Sequence, residues 1–333
     1  MASPRWSKEK AHAWYGKLPW LVGCNFIPSS AINQLEMFQK ETFDPVTINR
    51  ELGWAGKVGL NTVRVYLHDL LWENKKEEFK KNIDKFLSVA EKNKIKTLFV
   101  IFDDCWGTAP KTGKQKGRPG EVHNHGWVQS PGNAVTNSPK TWGRLEKYVK
   151  GLLKTFGRDE RVIIWDLYNE PGNTSQREKS MPLLEKAFEW AKEADPAQPL
   201  TSGVWADFKA LNSFQLNSSD IITFHNYREP AHLLTEIKDL EALGRPVICT
   251  EYLARGQGSF FKPSLEIFKK YKVGCYNWGL VDGKTQTKFA WGTPSGAPEP
   301  ELWHHEIFRK NGQPYDREET AYIKKLTKNK KIF

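Results

Sequence analysis

The sequence predicts a single-domain α/β protein of the (β/α)8 TIM barrel class, on three observations. Short apolar runs rich in β-branched and aromatic residues alternate with longer amphipathic stretches bearing lysine and glutamate along all 333 residues. The apolar runs number eight, the count of parallel strands that closes a barrel, and the intervening stretches are long enough for the crossovers that parallel neighbours need. No composition break, internal repeat or low-complexity linker divides the chain, so residues 1–333 are read as one domain, of a size a barrel commonly reaches.

Strands are expected at 21–26, 62–67, 97–102, 162–168, 200–204, 221–225, 247–251 and 274–278. Helices are expected at 48–58, 77–93, 142–156, 177–193, 208–214, 233–243, 263–271 and 318–326. In the second helix Phe79, Ile83, Phe86, Leu87 and Ala90 recur at three- and four-residue spacing, the stripe an outer helix presses onto a sheet. Two connections exceed what a bare scaffold needs: 103–139 after the third strand and 279–315 after the eighth, both rich in Gly, Pro and Trp. In a barrel both emerge on the C-terminal face, where active sites are built.

Composition narrows the function classes. The formal charge is +11, but the lysines are spread over helical stretches and the tail KKLTKNKKIF, which reads as a solvated surface and not as a nucleic-acid site. No run is apolar enough for a membrane span, and the first twenty residues lack the ~7–15 apolar residues of a signal peptide, so the chain is expected to be intracellular or already trimmed. Cys24, Cys105, Cys249 and Cys275 stand far apart without C-x-x-C pairing and are expected as small buried hydrophobes. No cofactor is expected. The 14 tryptophans exceed what core packing asks for, and Trp106, Trp127, Trp142, Trp291 and Trp303 lie in Gly/Pro-rich segments. Indole faces suit sugar rings, so a carbohydrate partner enters consideration beside a role as loop anchors.

The segment RVIIWDLYNEPGN, 161–173, runs apolar and then stops at Asn169-Glu170-Pro171; PVICTEY, 246–252, delivers Glu251 in the same way from the seventh strand. Carboxylates at the C-terminal ends of two barrel strands can flank one bond. Cleaving an acetal needs a proton for the leaving oxygen and a carboxylate against the developing oxocarbenium ion. A neighbouring negative charge then keeps one of the two protonated as the acid. Arg64, inside the β-branched run NTVRVYLH, must reach a barrel end or a carboxylate to avoid a buried bare charge. His225 and Tyr227 read equally as a satisfied core histidine and a strand-end aromatic.

With these motifs in order along almost the whole chain, the sequence resembles the retaining glycoside hydrolases of clan A, most closely glycoside hydrolase family 5, the cellulase-like type. The resemblance implies Glu170 as general acid/base, Asn169 as a partner of the substrate 2-hydroxyl and Glu251 as nucleophile. It implies Arg64 beside the nucleophile, His225 near the acid/base, Tyr227 near the nucleophile, and Trp278 of YNWGL as the floor under the sugar next to the cleaved bond. Family members often carry a histidine at the end of the third strand, where this chain has Asp103-Asp104, and one of these is expected to contact sugar hydroxyls. Trp106, Trp127 and Trp291 are expected to wall the cleft.

The leading expectation is a retaining β-glycosidase acting on an oligo- or polysaccharide of the β-1,4-glucan, xylan or mannan kind. Two readings compete: a carbohydrate-binding barrel without turnover, whose signature would be loss of one glutamate, and a metal-dependent barrel hydrolase. The second would draw ligands from His123, His125, Asp103, Asp104 and His304-His305, yet His123 and His125 lie deep in a loop with no β-rich run before them, so no metal is expected.

Overall fold

The computed structural model describes residues 3–328. Eight parallel strands are present: β1 Val22–Asn25, β2 Thr62–Tyr66, β3 Lys96–Asp103, β4 Val162–Asn169, β5 Leu200–Thr201, β6 Ile222–His225, β7 Val247–Tyr252 and β8 Gly274–Trp278. They form one sheet in the order β5-β4-β3-β2-β1-β8-β7-β6, so the first strand pairs with both the second and the last. The remaining seam, between β5 and β6, is closed by Val204, whose N–H donates to Thr223 O (3.0 Å) and whose O accepts from His225 N–H (3.0 Å), and before it by Asp220 N–H on Leu200 O (2.8 Å) and the Thr201 hydroxyl on Ile221 O (3.0 Å). This is the (β/α)8 TIM barrel that the alternation of runs predicts.

Helix α1 (Lys8–Tyr15) precedes the barrel, α2 (Gln34–Phe38) and α3 (Pro45–Val58) follow β1, and α4 (Asp69–Lys92) follows β2. Short α5 (Asn133–Thr136) and α6 (Gly143–Phe156) follow β3. Helices α7 (Met181–Ala194), α8 (Lys209–Ser218), α9 (Pro230–Glu241), α10 (Phe261–Lys270) and α11 (Arg317–Thr327) follow β4 to β8 in turn.

The two-residue period of each strand splits the core into two apolar bodies. In β2, Val63 and Val65 face outward and pack with helix residues such as Ile83, Phe86 and Leu87, the stripe read from the sequence. Residues of the opposite face, including Tyr66, Leu98, Val100, Ile164, Ile248 and Tyr276, fill the barrel interior. Trp6 and Ala11 join this inner body from below, with Trp6 N–H on Asp220 Oδ1 (2.8 Å) and Arg245 Nη2 on Trp6 O (2.9 Å). The floor of the barrel is therefore sealed, and the polar interior positions of β2, β4 and β7 look toward the other end.

Several boundaries differ from the sequence expectation, each for a local reason. Helix α4 starts eight residues early because His68 Nδ1 accepts from Leu70 N–H (3.2 Å) at its N-terminus, and a break at Lys75 (φ −146, ψ 54) masks the first turns. The region 177–180 is a tight 3-10 turn with Arg177 at φ 49, and Pro182 fixes where α7 starts. Strand β5 contracts to two residues with Val204 as an isolated bridge. The cysteines are buried and outside any disulfide; Cys24, Cys249 and Cys275 pack in the outer apolar core, whereas Cys105 lies at the cavity. Among the described residues no helix is long and apolar enough to cross a membrane.

One close helix contact can be checked. A Cβ placed on Gly151 of α6 would lie 2.0 Å from the Trp72 ring of α4, whereas one on Gly143 would meet nothing within 4 Å. Replacing a helical glycine by alanine ordinarily stabilises by ~1 kcal/mol. Calorimetry should show Gly151→Ala lowering the melting temperature and Gly143→Ala leaving it unchanged or raising it.

Candidate active site

The site is organised by Arg64, whose β2 position points its side chain into the barrel and leaves it 0% exposed. A guanidinium there is tolerable only if its donors are spent on acceptors. Nη2 donates to Asp166 Oδ2 (2.7 Å) and Asn169 Oδ1 (2.7 Å), and Nη1 to Glu251 Oε1 (2.6 Å) and Asn25 Oδ1 (2.8 Å). Burial alone would lower its pKa, but Tyr66, Asp166 and Glu251 raise it well above the ordinary value. Arg64 does not line the cavity. Expected among the substrate contacts, it instead holds four strands' polar side chains in register, because every donor direction is already occupied.

Glu251 sits at the end of β7 with both oxygens engaged. Oε1 accepts from Arg64 and from the Tyr66 hydroxyl (2.8 Å), and Oε2 accepts from the Tyr227 hydroxyl (2.7 Å). Burial next to this carboxylate pushes both tyrosines well above their usual range, so they stay protonated donors. Glu170 follows β4 in the left-handed region (φ 44), uncommon for a residue with a side chain, before Pro171 turns the chain away. Its Oε1 pairs with His225 Nδ1 (2.8 Å), and its Oε2 accepts from Asn173 Nδ2 (2.5 Å) and the Cys105 thiol (3.2 Å). Burial pushes the Glu170 carboxyl upward, but His225, Cys105 and Asn173 outweigh it and hold it below the usual range, opposite to the rise expected from a neighbouring negative charge. One oxygen each of Glu170 and Glu251 and one ring nitrogen of His225 all lie within 4.8 Å of one another.

The aspartates after β3 do not act as expected. Asp103 and Asp104 are each 1% exposed, and neither lines the cavity. Asp103 accepts from Asn169 Nδ2 (3.0 Å), Trp127 Nε1 (2.6 Å) and Cys105 N–H (2.9 Å); burial still pushes it to about 7. Asp104 accepts from the Tyr168 and Ser180 hydroxyls and from Gly172 N–H. Both are buried and bonded inside the scaffold, where they orient Asn169 and the turn after Glu170.

The cavity over the two glutamates measures about 510 Å³, and Trp106, Trp127, Trp278, Trp291 and Tyr227 line it, with Asn169 at its base. A second, also about 510 Å³, adjoins it; Glu170, Trp205 and Tyr227 line both. His123 and His305 line the first cavity, but each commits Nδ1 to a backbone carbonyl, Phe289 O and Leu253 O respectively. Among the described residues, the side chains close enough to share a cation are Glu170, His225 and Glu251, not the histidine and aspartate set of the metal reading.

Tyr66, Asp166, Cys105, Asn173 and Trp205 were not singled out from the sequence. Asp166 could have been, since a charge inside RVIIWDLYNE carries the same burial argument as Arg64, and Tyr66 shares Arg64's face two residues on. Cys105, Asn173 and Trp205 depend on how loops return, which no local spacing encodes.

A family model described as Cellulase (glycosyl hydrolase family 5) matches residues 54–283. Curated protein sequences give no match. Among solved structures, a GH5_18 protein from Streptomyces cattleya in complex with Manβ1-4GlcNAc superposes with a TM-score of 0.65 at 12% identity, covering 92% of this chain and 80% of that one. An exo-β-1,4-mannosidase from Opitutaceae bacterium strain TAV5 gives 0.65 at 14% identity, covering 92% of this chain and 59% of its own. The endo-1,4-β-D-mannanase of Thermotoga petrophila RKU-1 gives 0.56 at 13%, covering 92% and 99%. At these identities the structures are alike in fold.

Behind Trp278 lies a buried acid that the sequence does not announce. Glu306 is 1% exposed; its Oε1 accepts from the Thr287 hydroxyl, and its Oε2 lies where a Gly279 side chain would otherwise sit. Burial, opposed by Thr287 and reinforced by Asp282 and Glu51, pushes its pKa to about 8. A raised folded-state pKa means that the folded chain binds the extra proton; its stabilising contribution is complete below the unfolded value of ~4.3 and is lost as pH rises toward 8. Glu306→Gln mimics the neutral acid, so melting curves from pH 5 to 9 should show wild type losing stability relative to the variant as pH rises. A constant difference across that range would mean that Glu306 is ionised throughout.

Proposed function

The chain belongs to glycosyl hydrolase family 5 and is a glycosidase, and from that premise we propose that it cleaves a β-linked glycan by double displacement, with Glu251 as nucleophile and Glu170 as acid/base. The observation that supports this reading is that an oxygen of Glu170 and an oxygen of Glu251 lie within 4.8 Å of each other, with a His225 ring nitrogen within the same limit of both. Retaining enzymes hold their carboxyls ~5–5.5 Å apart, whereas an inverting pair needs ~6.5–9.5 Å to admit water between carboxylate and sugar.

In the first step a Glu251 oxygen attacks the anomeric carbon, the glycosidic C–O bond breaks, and the leaving oxygen takes the Glu170 proton. The Arg64, Tyr66 and Tyr227 donors hold Glu251 aimed until attack. In the second step Glu170, now a base, takes a proton from water; the water oxygen bonds to the anomeric carbon and Glu251 departs. Configuration is retained. The neighbours with Manβ1-4GlcNAc and the mannanase names support a β-mannan or β-1,4-linked oligosaccharide substrate.

Glu170→Gln should cost ~100- to 10,000-fold in turnover of glycosides with poor leaving groups. Glu251→Gln should cost at least as much on every substrate, both variants remaining folded by circular dichroism. Proton NMR of early hydrolysis should show β-product first; α-product first would remove Glu251 from the nucleophile role. The His225 contact lowers the Glu170 pKa, so removing it by His225→Ala should move the alkaline limb of the kcat/KM profile to higher pH, and an unmoved limb would detach His225 from the acid/base.

A further inference from the structure

We propose that this glycosidase works from the non-reducing chain end, admitting one sugar ring into a blind pocket; the inference rests on the assignment of Glu251 and Glu170 above. The nucleophile Glu251 and Trp278 line only the first cavity, whereas Glu170 lines both. An acid that protonates the leaving oxygen stands between the two halves of its substrate. The sugar attacked by Glu251 therefore occupies the first cavity, and the leaving group occupies the second, beside Trp205, Asp207, Asn226 and Arg228.

The far side of the first cavity is walled. The long loops after β3 and β8 meet above β2 and β1, the strands that separate them in the sheet. Their backbones are sewn together by Val122 N–H on Thr293 O (3.1 Å), Ser295 N–H on Gly120 O (2.7 Å) and Asn124 N–H on Thr285 O (2.8 Å). The segment after β1 underpins the seam through Asn33 Nδ2 on Gly126 O (2.7 Å) and Gln34 Nε2 on Val128 O (2.6 Å). Between the loops after β3 and β4 the gap is bridged by Trp106 N–H on Thr174 Oγ1 (3.0 Å). Above these bonds a fence of rings runs without interruption: Trp106 to His123 (6.0 Å between centroids), His123 to Trp291 (5.8 Å) and Trp291 to Tyr227 (5.1 Å).

The wall stands close to the nucleophile. Tyr227 holds one oxygen of Glu251 and touches Trp291; Tyr66 holds the other and touches Trp127 (5.0 Å). Trp291 and Trp127 thus each stand a single tyrosine away from the attacking carboxylate. A glycan continuing past the attacked sugar would have to pass through the sewn loops.

The test uses β-1,4-linked gluco-, manno- and xylo-tetrasaccharides labelled at the reducing end, together with aryl β-monoglycosides and the matching aryl β-biosides. The expected first products are an unlabelled monosaccharide and a labelled trisaccharide, with the aryl monoglycoside split ~100-fold faster than the aryl bond of the bioside. Early unlabelled di- or trisaccharide, or a bioside rate equal to the monoglycoside rate, would overturn the inference. If such internal cleavage is lost in both Glu170→Gln and Glu251→Gln, the catalytic assignment stands without it; end-wise release that persists in either variant would overturn the assignment instead. No turnover of any member of the panel would count against both.

Discussion

A full positive charge buried in the barrel interior is the constraint around which the mouth is built. Arg64 has no route to water, so the fold must bring acceptors to it, and it does so from β1, β4 and β7 at once. Two carboxylates, Asp166 and Glu251, face this one guanidinium. The cluster thus sets two carboxyl groups against one guanidinium in a dry site, where a preorganised charge acts far more strongly than the same charge in water.

Around that cluster, polar groups are arranged in relays that end on the glutamates. Asn169 is held between Arg64 and Asp103, Asp103 in turn holds the Trp127 indole, and Asp104 pins the turn that carries Glu170 into its left-handed conformation. The geometry at Glu170 is maintained by buried bonds on the strand side and by Asn173 and Cys105 from the loops, so no single contact carries it. Such over-determination is what allows an unfavourable backbone angle to persist at a reacting group.

The order of strands, the two glutamates and the arginine were legible because each follows from a local rule: a β-branched run with period two, a strand stopped by Pro, a charge that cannot lie bare in a core. The same rules did not reveal that Asp103 and Asp104 are consumed internally, since that depends on Tyr168, Ser180 and Trp127 arriving from elsewhere in the chain. Nor could spacing show that Val204 bridges the last seam of the barrel or that Glu306 is buried beneath Trp278. Local pattern reports what a residue needs, and tertiary structure decides which neighbour meets the need. The sugar preference remains a matter of loop placement for the same reason.

The barrel's closure at Val204 gives the molecule an uneven stiffness. On one side three loops and a continuous backbone seam lock the mouth, while on the other β5 is two residues long and meets β6 through few backbone bonds, at Leu200 and Val204. Regions with few backbone bonds open at lower free energy than densely bonded ones. The mouth is therefore expected to open first on the β5–β6 side, beside Trp205 and Arg228, while the sewn loops above β1 and β2 stay closed.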